Sequence, residues 1–101
     1  MNPDAAGMLG ILNRGRMLAF GSAVIGSMRK AALLLLARDG SSWSLKEAEG
    51  EAAKYRVPVY YVDTKAELGA PLGREELVAV AVLSKKAAAS LLRKLQKGET
   101  P

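Results

Sequence analysis

The sequence predicts an α/β protein, a three-layer α/β/α sandwich with a mixed four-stranded sheet and about five helices. Residues 77–83 are apolar at odd and even positions alike and rich in valine, as expected for a central strand that helices cover on both faces. Strand-like segments also alternate along the chain with helical ones. Such helical connections cross over between strands, so part of the sheet should be parallel, with helices on both of its faces.

The first half of the chain should hold two helices and two strands, separated by glycines and other turn residues. Residues 2–4 have the chemistry of a helix cap, and residues 38–42 have strong turn chemistry. The expected elements are, in order, a helix that ends near Asn13 or Gly15, a strand at 17–20, a helix from about Gly21 and Ser22, and a strand at 33–37.

The second half should hold three helices and two strands. Ser44 and Glu47 have the spacing of a capping box, so a third helix is expected to begin at Ser44. The remaining elements are a strand at 57–62, a helix capped by Asp63 or Thr64 that ends near Gly69, the central strand, and a last helix capped by Ser84. Residues 1–101 should therefore form a single domain with a frayed tail at 97–101.

The composition excludes much of catalytic chemistry. The chain has neither cysteine nor histidine, so we expect no thiolate, histidine base, ordinary zinc site or cofactor, and a reducing cytoplasm is the natural setting. The paired carboxylates Glu47 with Glu51 and Glu75 with Glu76 are best interpreted as solvated faces. We therefore predict that the protein is not an enzyme and has no small-molecule substrate. Neither uncharged apolar run approaches the roughly 20 residues of a spanning helix, so no membrane is expected.

The charge balance favours a nucleic-acid partner. The chain has 15 basic and 10 acidic residues and a pI of about 9.8, although a plain soluble surface would also fit five surplus charges. Ligands of parallel sheets collect at the carboxyl ends of strands and the amino ends of helices, where free backbone N–H groups favour phosphate. Arg16, Arg38 and Arg74 are therefore expected to form one basic surface around the turn at Gly21.

Five segments, in this order, resemble the kink-turn-binding ribosomal protein family, which includes archaeal and eukaryotic large-subunit ribosomal proteins and box C/D RNA-binding proteins. The closest resemblance is to its small bacterial, ribosome-associated members, and it extends over residues 8–95. The segments are residues 14–21, 33–39, 55–59, 67–69 and 72–73 with the valine-rich strand that follows. The resemblance implies the same α/β/α fold and identifies residues 1–101 as one domain of this type.

The resemblance also implies a site. Members of this family bind a sharply bent RNA, whose sheared G·A pairs are read from the start of the second helix, and a loop before the central strand covers unstacked nucleotides. The corresponding positions lie in the second helix and in the turns after the second strand and before the central strand. With the neighbouring basic residue of the first turn, the predicted RNA-binding residues are Arg16, Gly21, Ser22, Ala23, Ser27, Arg38, Asp39, Arg74, Glu75, Glu76 and Leu77.

One segment departs from the family pattern. The family usually has Gly-x-Asn-Glu followed by a lysine three residues later, whereas this chain has Gly21-Ser22-Ala23-Val24, with Ser27 at the lysine position. Alanine and valine cannot hydrogen-bond a guanine edge. The sequence therefore predicts a noncatalytic RNA-binding protein of the translation apparatus, with structured, for instance ribosomal, RNA as partner and with altered or relaxed kink-turn recognition. The alternative is a protein-interaction or homodimerisation module that kept the fold but lost specific RNA binding, because residues 19–25 are apolar.

Overall fold

The computed structural model describes residues 1–97, which form five α-helices and four strands. The helices are α1 (Pro3–Arg14), α2 (Ala23–Ser27), α3 (Ser42–Lys54), α4 (Lys65–Gly69) and α5 (Lys85–Lys97), and the strands are β1 (Leu18–Phe20), β2 (Leu33–Ala37), β3 (Val59–Val62) and β4 (Ala79–Val82). Short 3₁₀ turns follow α2 and α4. Of the predicted frayed tail, Lys97 is the last residue of α5, and residues 98–101 lie outside the described residues.

The four strands form one mixed sheet in the order β1-β4-β2-β3. β2 and β3 pair in parallel, whereas β4 is antiparallel to both β1 and β2. The predicted mixed sheet and the central position of β4 are thus confirmed. β4 begins later than the apolar run 77–83 does. The N–H of Leu77 donates to the carbonyl of Lys65 at 3.0 Å and so bonds outside the sheet.

Helices cover both faces of the sheet, which confirms the predicted layers. On one face, α1 and α5 pack against alternate residues of β2 and β4, with Leu9, Leu91 and Val80 fully buried. On the other face, α2 and α3 pack against the intervening residues, with Val24 and Ala52 buried there. All five residues of β2 are buried, since side chains of both parities point into a core.

Most predicted helix starts are confirmed by their capping bonds. The Asn2 side chain accepts a hydrogen bond from the N–H of Ala5 at 2.9 Å, and the Thr64 hydroxyl accepts one from the N–H of Glu67 at 3.1 Å. The Ser84 hydroxyl accepts one from the N–H of Ala87 at 3.2 Å. The predicted start of α3 is wrong. Ser41, not Ser44, is the cap, and its hydroxyl accepts from the N–H of Ser44 at 3.2 Å.

Strand direction brings four connections to one end of the sheet. β1, β2 and β3 run one way and β4 the other, so the carboxyl ends of the first three lie beside the amino end of β4. We call this the loop end. It carries the turn at residues 21–22, the loop at 38–41, residues 63–64 and the segment at 73–78.

Candidate functional site

A groove of about 240 Å³ lies at the loop end, between α2, α3 and the segment before β4. Its walls include Val24, Ile25 and Leu77, and its two ionisable side chains are the carboxylates of Glu47 and Glu76. An apolar slot with carboxylate acceptors suits a flat group that carries N–H donors better than it suits a phosphate. Of the predicted site residues, Gly21, Glu76 and Leu77 line this groove.

Two glycines allow the groove to form. Gly21 has a φ of 65°, a left-handed conformation that favours glycine, and it turns the chain from β1 into α2. A Cβ atom at Gly40 would lie 2.7 Å from Cγ1 of Val78, so the absence of a side chain lets the β2–α3 loop approach the segment before β4. The Asp39 carboxylate accepts from the N–H of Lys65 at 2.7 Å and thereby fastens this loop to the start of α4.

The segment before β4 is held against α4 by backbone contacts. The N–H of Arg74 donates to the carbonyl of Gly69 at 3.1 Å, after a left-handed turn at Gly73. A Cβ atom at Gly69 would lie 2.9 Å from both the Arg74 carbonyl oxygen and the Glu76 Cα, so this close approach requires glycine. Lys65 Nζ also lies 3.9 Å from a Glu76 carboxylate oxygen. Residues 74–77 are therefore held in place, with Glu76 and Leu77 lining the groove and Glu75 exposed outside it.

The structure divides the predicted basic surface. The Arg74 guanidinium lies 5.0 Å from the ring centroid of Phe20 on β1, whereas that of Arg38 lies 5.3 Å from the ring of Tyr61 on β3. These are the two edge strands, about 14 Å apart at the usual strand spacing. Arg16 precedes β1 and lies at the other end of the sheet. The loop end thus brings Arg38 and Arg74 to opposite edges and does not include Arg16, whose binding role stays a prediction.

The Arg38 guanidinium lies over the ring of Tyr61, and a hydrogen bond fixes the position of that ring. The Tyr61 hydroxyl donates to the Glu49 carboxylate of α3, and Arg38 Nε lies 4.0 Å from Asp63. The hydrogen bond to Glu49 raises the pKa of Tyr61, burial raises it further, and the Arg38 charge opposes the shift. Tyr61 therefore remains neutral at physiological pH and offers its ring face to the guanidinium.

The start of α2 offers few polar groups. α2 has only five residues, and the Ser22 hydroxyl makes no capping hydrogen bond within residues 1–97. Ser22 and Ala23 are exposed, and Ser27 is half-buried. Of the larger apolar side chains in the segment 19–25, Val24 is buried in the core, while Phe20 and Ile25 are half-buried and partly accessible to a partner. The interaction-module alternative stays a prediction.

For Trp43 the sequence favours a hydrophobic staple over a base-stacking surface, because this residue precedes the predicted helix start at Ser44. With the cap at Ser41, Trp43 lies in the first turn of α3, next to the loop end, and is 73% exposed. A start at Ser44 would have packed this ring against the helix as a hydrophobic staple. The serine at position 41 was the available signal, since it caps as well as Ser44 does.

Other kinds of site find no support in the described part of the chain. Among residues 1–97, no helix is both long enough and apolar enough to cross a membrane. The same residues contain no cluster of three or more acidic side chains placed to hold a metal ion.

Comparison with known proteins relates the chain to RNA-binding proteins. No family model matches it. The RNA-binding protein YlxQ of Bacillus subtilis (strain 168) is 38% identical in an alignment of 78 residues that covers 74% of this chain and 78% of that protein. The structure of a protein of unknown function from Bacillus halodurans superposes with a TM-score of 0.82 at 23% identity, over 91% of this chain and 96% of that one. The 15.5kD RNA binding protein of Giardia lamblia gives a TM-score of 0.71 at 12% identity, over 96% of this chain and 92% of that one. These two structures share the fold.

Proposed function

Because the chain belongs to the family of the RNA-binding protein YlxQ, we propose that it is a noncatalytic RNA-binding protein of the translation apparatus, with altered or relaxed recognition of kink-turns. That family relationship is the observation that carries the proposal. The proposed partner of the protein is structured RNA, such as ribosomal RNA, in the cytoplasm.

The loop end supports a mode of binding. The groove between α2 and α3 suits an unstacked base, since its apolar walls can cover the ring while Glu47 and Glu76 accept from base amino groups. Arg38 and Arg74 stand at the two edges of the same end, where each can meet a phosphate. Exposed Trp43 adds a surface on which a further base can stack.

The same geometry supports relaxed specificity. Ala23 has no polar side-chain atom and Val24 is buried, so α2 and its cap offer only the hydroxyls of Ser27 and Ser22 to the edges of G·A pairs. A bidentate base contact contributes about 1 to 3 kcal/mol of discrimination. Without two such contacts the protein should discriminate kink-turns from other RNA by shape and charge.

A titration with two RNAs tests the proposal. We expect the protein to bind a kink-turn RNA and a straight duplex of equal length at 50 mM salt, both more weakly at 200 mM, because phosphate contacts release counterions. The kink-turn preference should stay well under the roughly hundredfold that two bidentate contacts would provide. No measurable binding to either RNA at 50 mM would refute RNA binding, and a strong kink-turn preference would refute relaxed recognition.

Matched variants locate the site. The double variant Arg38→Gln/Arg74→Gln should weaken binding of the kink-turn RNA, whereas Arg93→Gln/Lys97→Gln, which removes the same charge from exposed positions of α5, should have a much smaller effect. Equal losses in the two variants would show that only net charge matters and that the loop end is not the site.

A further inference from the structure

A second groove lies at the end of the sheet opposite the loop end. Its volume is about 520 Å³, and it runs between α5 and the segments that precede β2 and β3. Arg29, Arg56 and Lys85 line it from three different elements. We call it the rear groove. It is more than twice as large as the groove at the loop end, for which the volume is about 240 Å³.

The surplus positive charge of the chain is concentrated around the rear groove. Residues 29–33, 54–58 and 85–92 contain six of the 15 basic residues and none of the 10 acidic ones. The rest of the chain has nine basic and ten acidic residues and is therefore close to neutral. At the loop end, by contrast, Asp39, Asp63, Glu75 and Glu76 lie among Arg38, Lys65 and Arg74. The rear groove is therefore the stronger site for a polyanion.

The cations of the rear groove are available to a ligand. Arg29, Arg56 and Lys85 are exposed, and none of them forms an ion pair within residues 1–97. An anion in the groove would be attracted by all three cations, none of which is already neutralised by a carboxylate of residues 1–97. The charge pattern thus indicates an occupant with several negative charges.

The floor of the rear groove indicates what else the occupant carries. Pro58, Ala89 and half-buried Leu92 form part of an apolar surface, and Tyr55, which is 38% exposed, borders it. Flat bases can lie on such a surface, but the bases of a duplex are already stacked and paired. A single strand offers both free base faces and phosphates.

We propose that the rear groove binds a single-stranded segment of RNA, with phosphates on Arg29, Arg56 and Lys85 and bases against Tyr55 and Leu92. The choice of RNA rests on the proposed function, but the site is separate from the loop end. The protein measures about 30 × 27 × 27 Å, and the two grooves lie at opposite ends of its sheet. One molecule can therefore hold a structured RNA at the loop end and a single strand at the rear.

Binding of a uridine dodecamer, which has no secondary structure, tests this site. The unmodified protein should bind it at 50 mM salt, both alone and when saturated with kink-turn RNA. The slope of log affinity against log salt is negative. In the variant Arg29→Gln/Arg56→Gln/Lys85→Gln its magnitude should decrease by about 2, since each lost phosphate contact removes roughly 0.7. The control Arg93→Gln/Lys94→Gln/Lys97→Gln has the same net charge and should keep most of the slope.

The possible results separate this proposal from the function proposed above. Failure of the unmodified protein to bind the dodecamer would overturn the rear site, whatever the kink-turn titration shows, and equal losses in the two triple variants would overturn it as well. A poly-glutamate peptide that binds where the dodecamer does not would assign the groove to an acidic protein segment instead. If the triple variant fails to fold, amide chemical shifts of the unmodified protein test the site instead. The dodecamer should perturb the shifts of Ala31, Ala89 and Leu92, and unchanged shifts would overturn the rear site.

Discussion

At the scale of single residues, Trp43 is the most accessible test of the loop end. It is the only tryptophan and is 73% exposed, so its fluorescence should change when RNA binds, and Trp43→Ala should leave the free energy of unfolding within about 0.5 kcal/mol of its original value. Loss of one stacked base should weaken RNA binding by about 1 to 3 kcal/mol, which is roughly 5-fold to 150-fold. Fluorescence titration of the unmodified protein and anisotropy of labelled RNA with the variant measure the two effects.

Ile11→Ala is the matched control for Trp43. Ile11 is 59% exposed on α1, away from the loop end, so its truncation should leave RNA affinity unchanged. An unchanged affinity in Trp43→Ala as well would exclude the indole as a stacking surface.

Tyr61 provides a residue-scale prediction about protonation. Its pKa is raised, mainly by the hydrogen bond to Glu49, so Glu49→Ala should lower it, whereas Arg38→Ala should raise it further by removing an opposing charge. Absorbance titration at alkaline pH measures both shifts, with Tyr61→Phe to identify the contribution of this ring. Shifts of the same sign in the two variants would contradict the described contacts.

The raised pKa of Tyr61 also has a consequence for stability. A group with a raised folded pKa stabilises the protein fully below its unfolded pKa of about 10, and this contribution is lost as the pH rises through the folded value. The difference in free energy of unfolding between the unmodified protein and Glu49→Ala should therefore be constant near neutral pH and should narrow above pH 10.

At the scale of elements, the position of residues 74–77, two of which line the groove, depends on Gly69. A side chain at this position meets backbone atoms at 2.9 Å, and backbone cannot yield as a flexible side chain can. Gly69→Ala should therefore lower the free energy of unfolding by about 1 to 3 kcal/mol and weaken RNA binding by displacing Glu76 and Leu77. Urea unfolding and RNA titration measure the two effects.

Gly50 supplies the opposite case in a neighbouring helix. A Cβ atom there meets nothing within 4 Å, so Gly50→Ala in α3 should raise the free energy of unfolding by about 0.5 to 1 kcal/mol and leave RNA binding unchanged. If Gly69→Ala proved as harmless as Gly50→Ala, the close packing of residues 74–77 on α4 would be disproved.

The elements also show what the sequence could reveal. β2 and β4 were predictable because both faces of each strand are buried, so neither face needs polar residues. Arg16 was predicted to lie near Gly21, yet the three residues of β1 between them carry the chain from one end of the sheet to the other. Ser41 and Ser44 are equivalent as caps by residue type, so the choice between them, and with it the exposure of Trp43, depends on how the preceding loop packs.

At the scale of the whole molecule, the directions of side chains depended on contacts between distant parts of the chain. Arg38 turns toward Tyr61 and Arg74 toward Phe20, and only the strand order places those rings at opposite edges. The same order gathers three basic segments around the rear groove, far apart in sequence. Local patterns therefore predicted the layers of the fold, whereas the distribution of charge over its two ends required the topology.

The sheet also separates the molecule into two cores, which leads to a prediction for the whole fold. Val24 is buried in the core beneath α2 and α3, and Val62 in the core beneath α1 and α5, on opposite faces of the sheet. Each valine-to-alanine change should lower the free energy of unfolding by about 2 kcal/mol, from lost burial and an unfilled cavity. Because the two sites share no packing partners, the double variant should lose the sum of the two to within about 0.5 kcal/mol. The double variant should still unfold in a measurable transition, since the free energy of unfolding of a domain of this size is roughly 5 to 15 kcal/mol.

Val62→Ala with Leu68→Ala, a pair within one core, is the control and should deviate from additivity. Strong coupling between Val24 and Val62 would mean that the sheet transmits repacking from one face to the other.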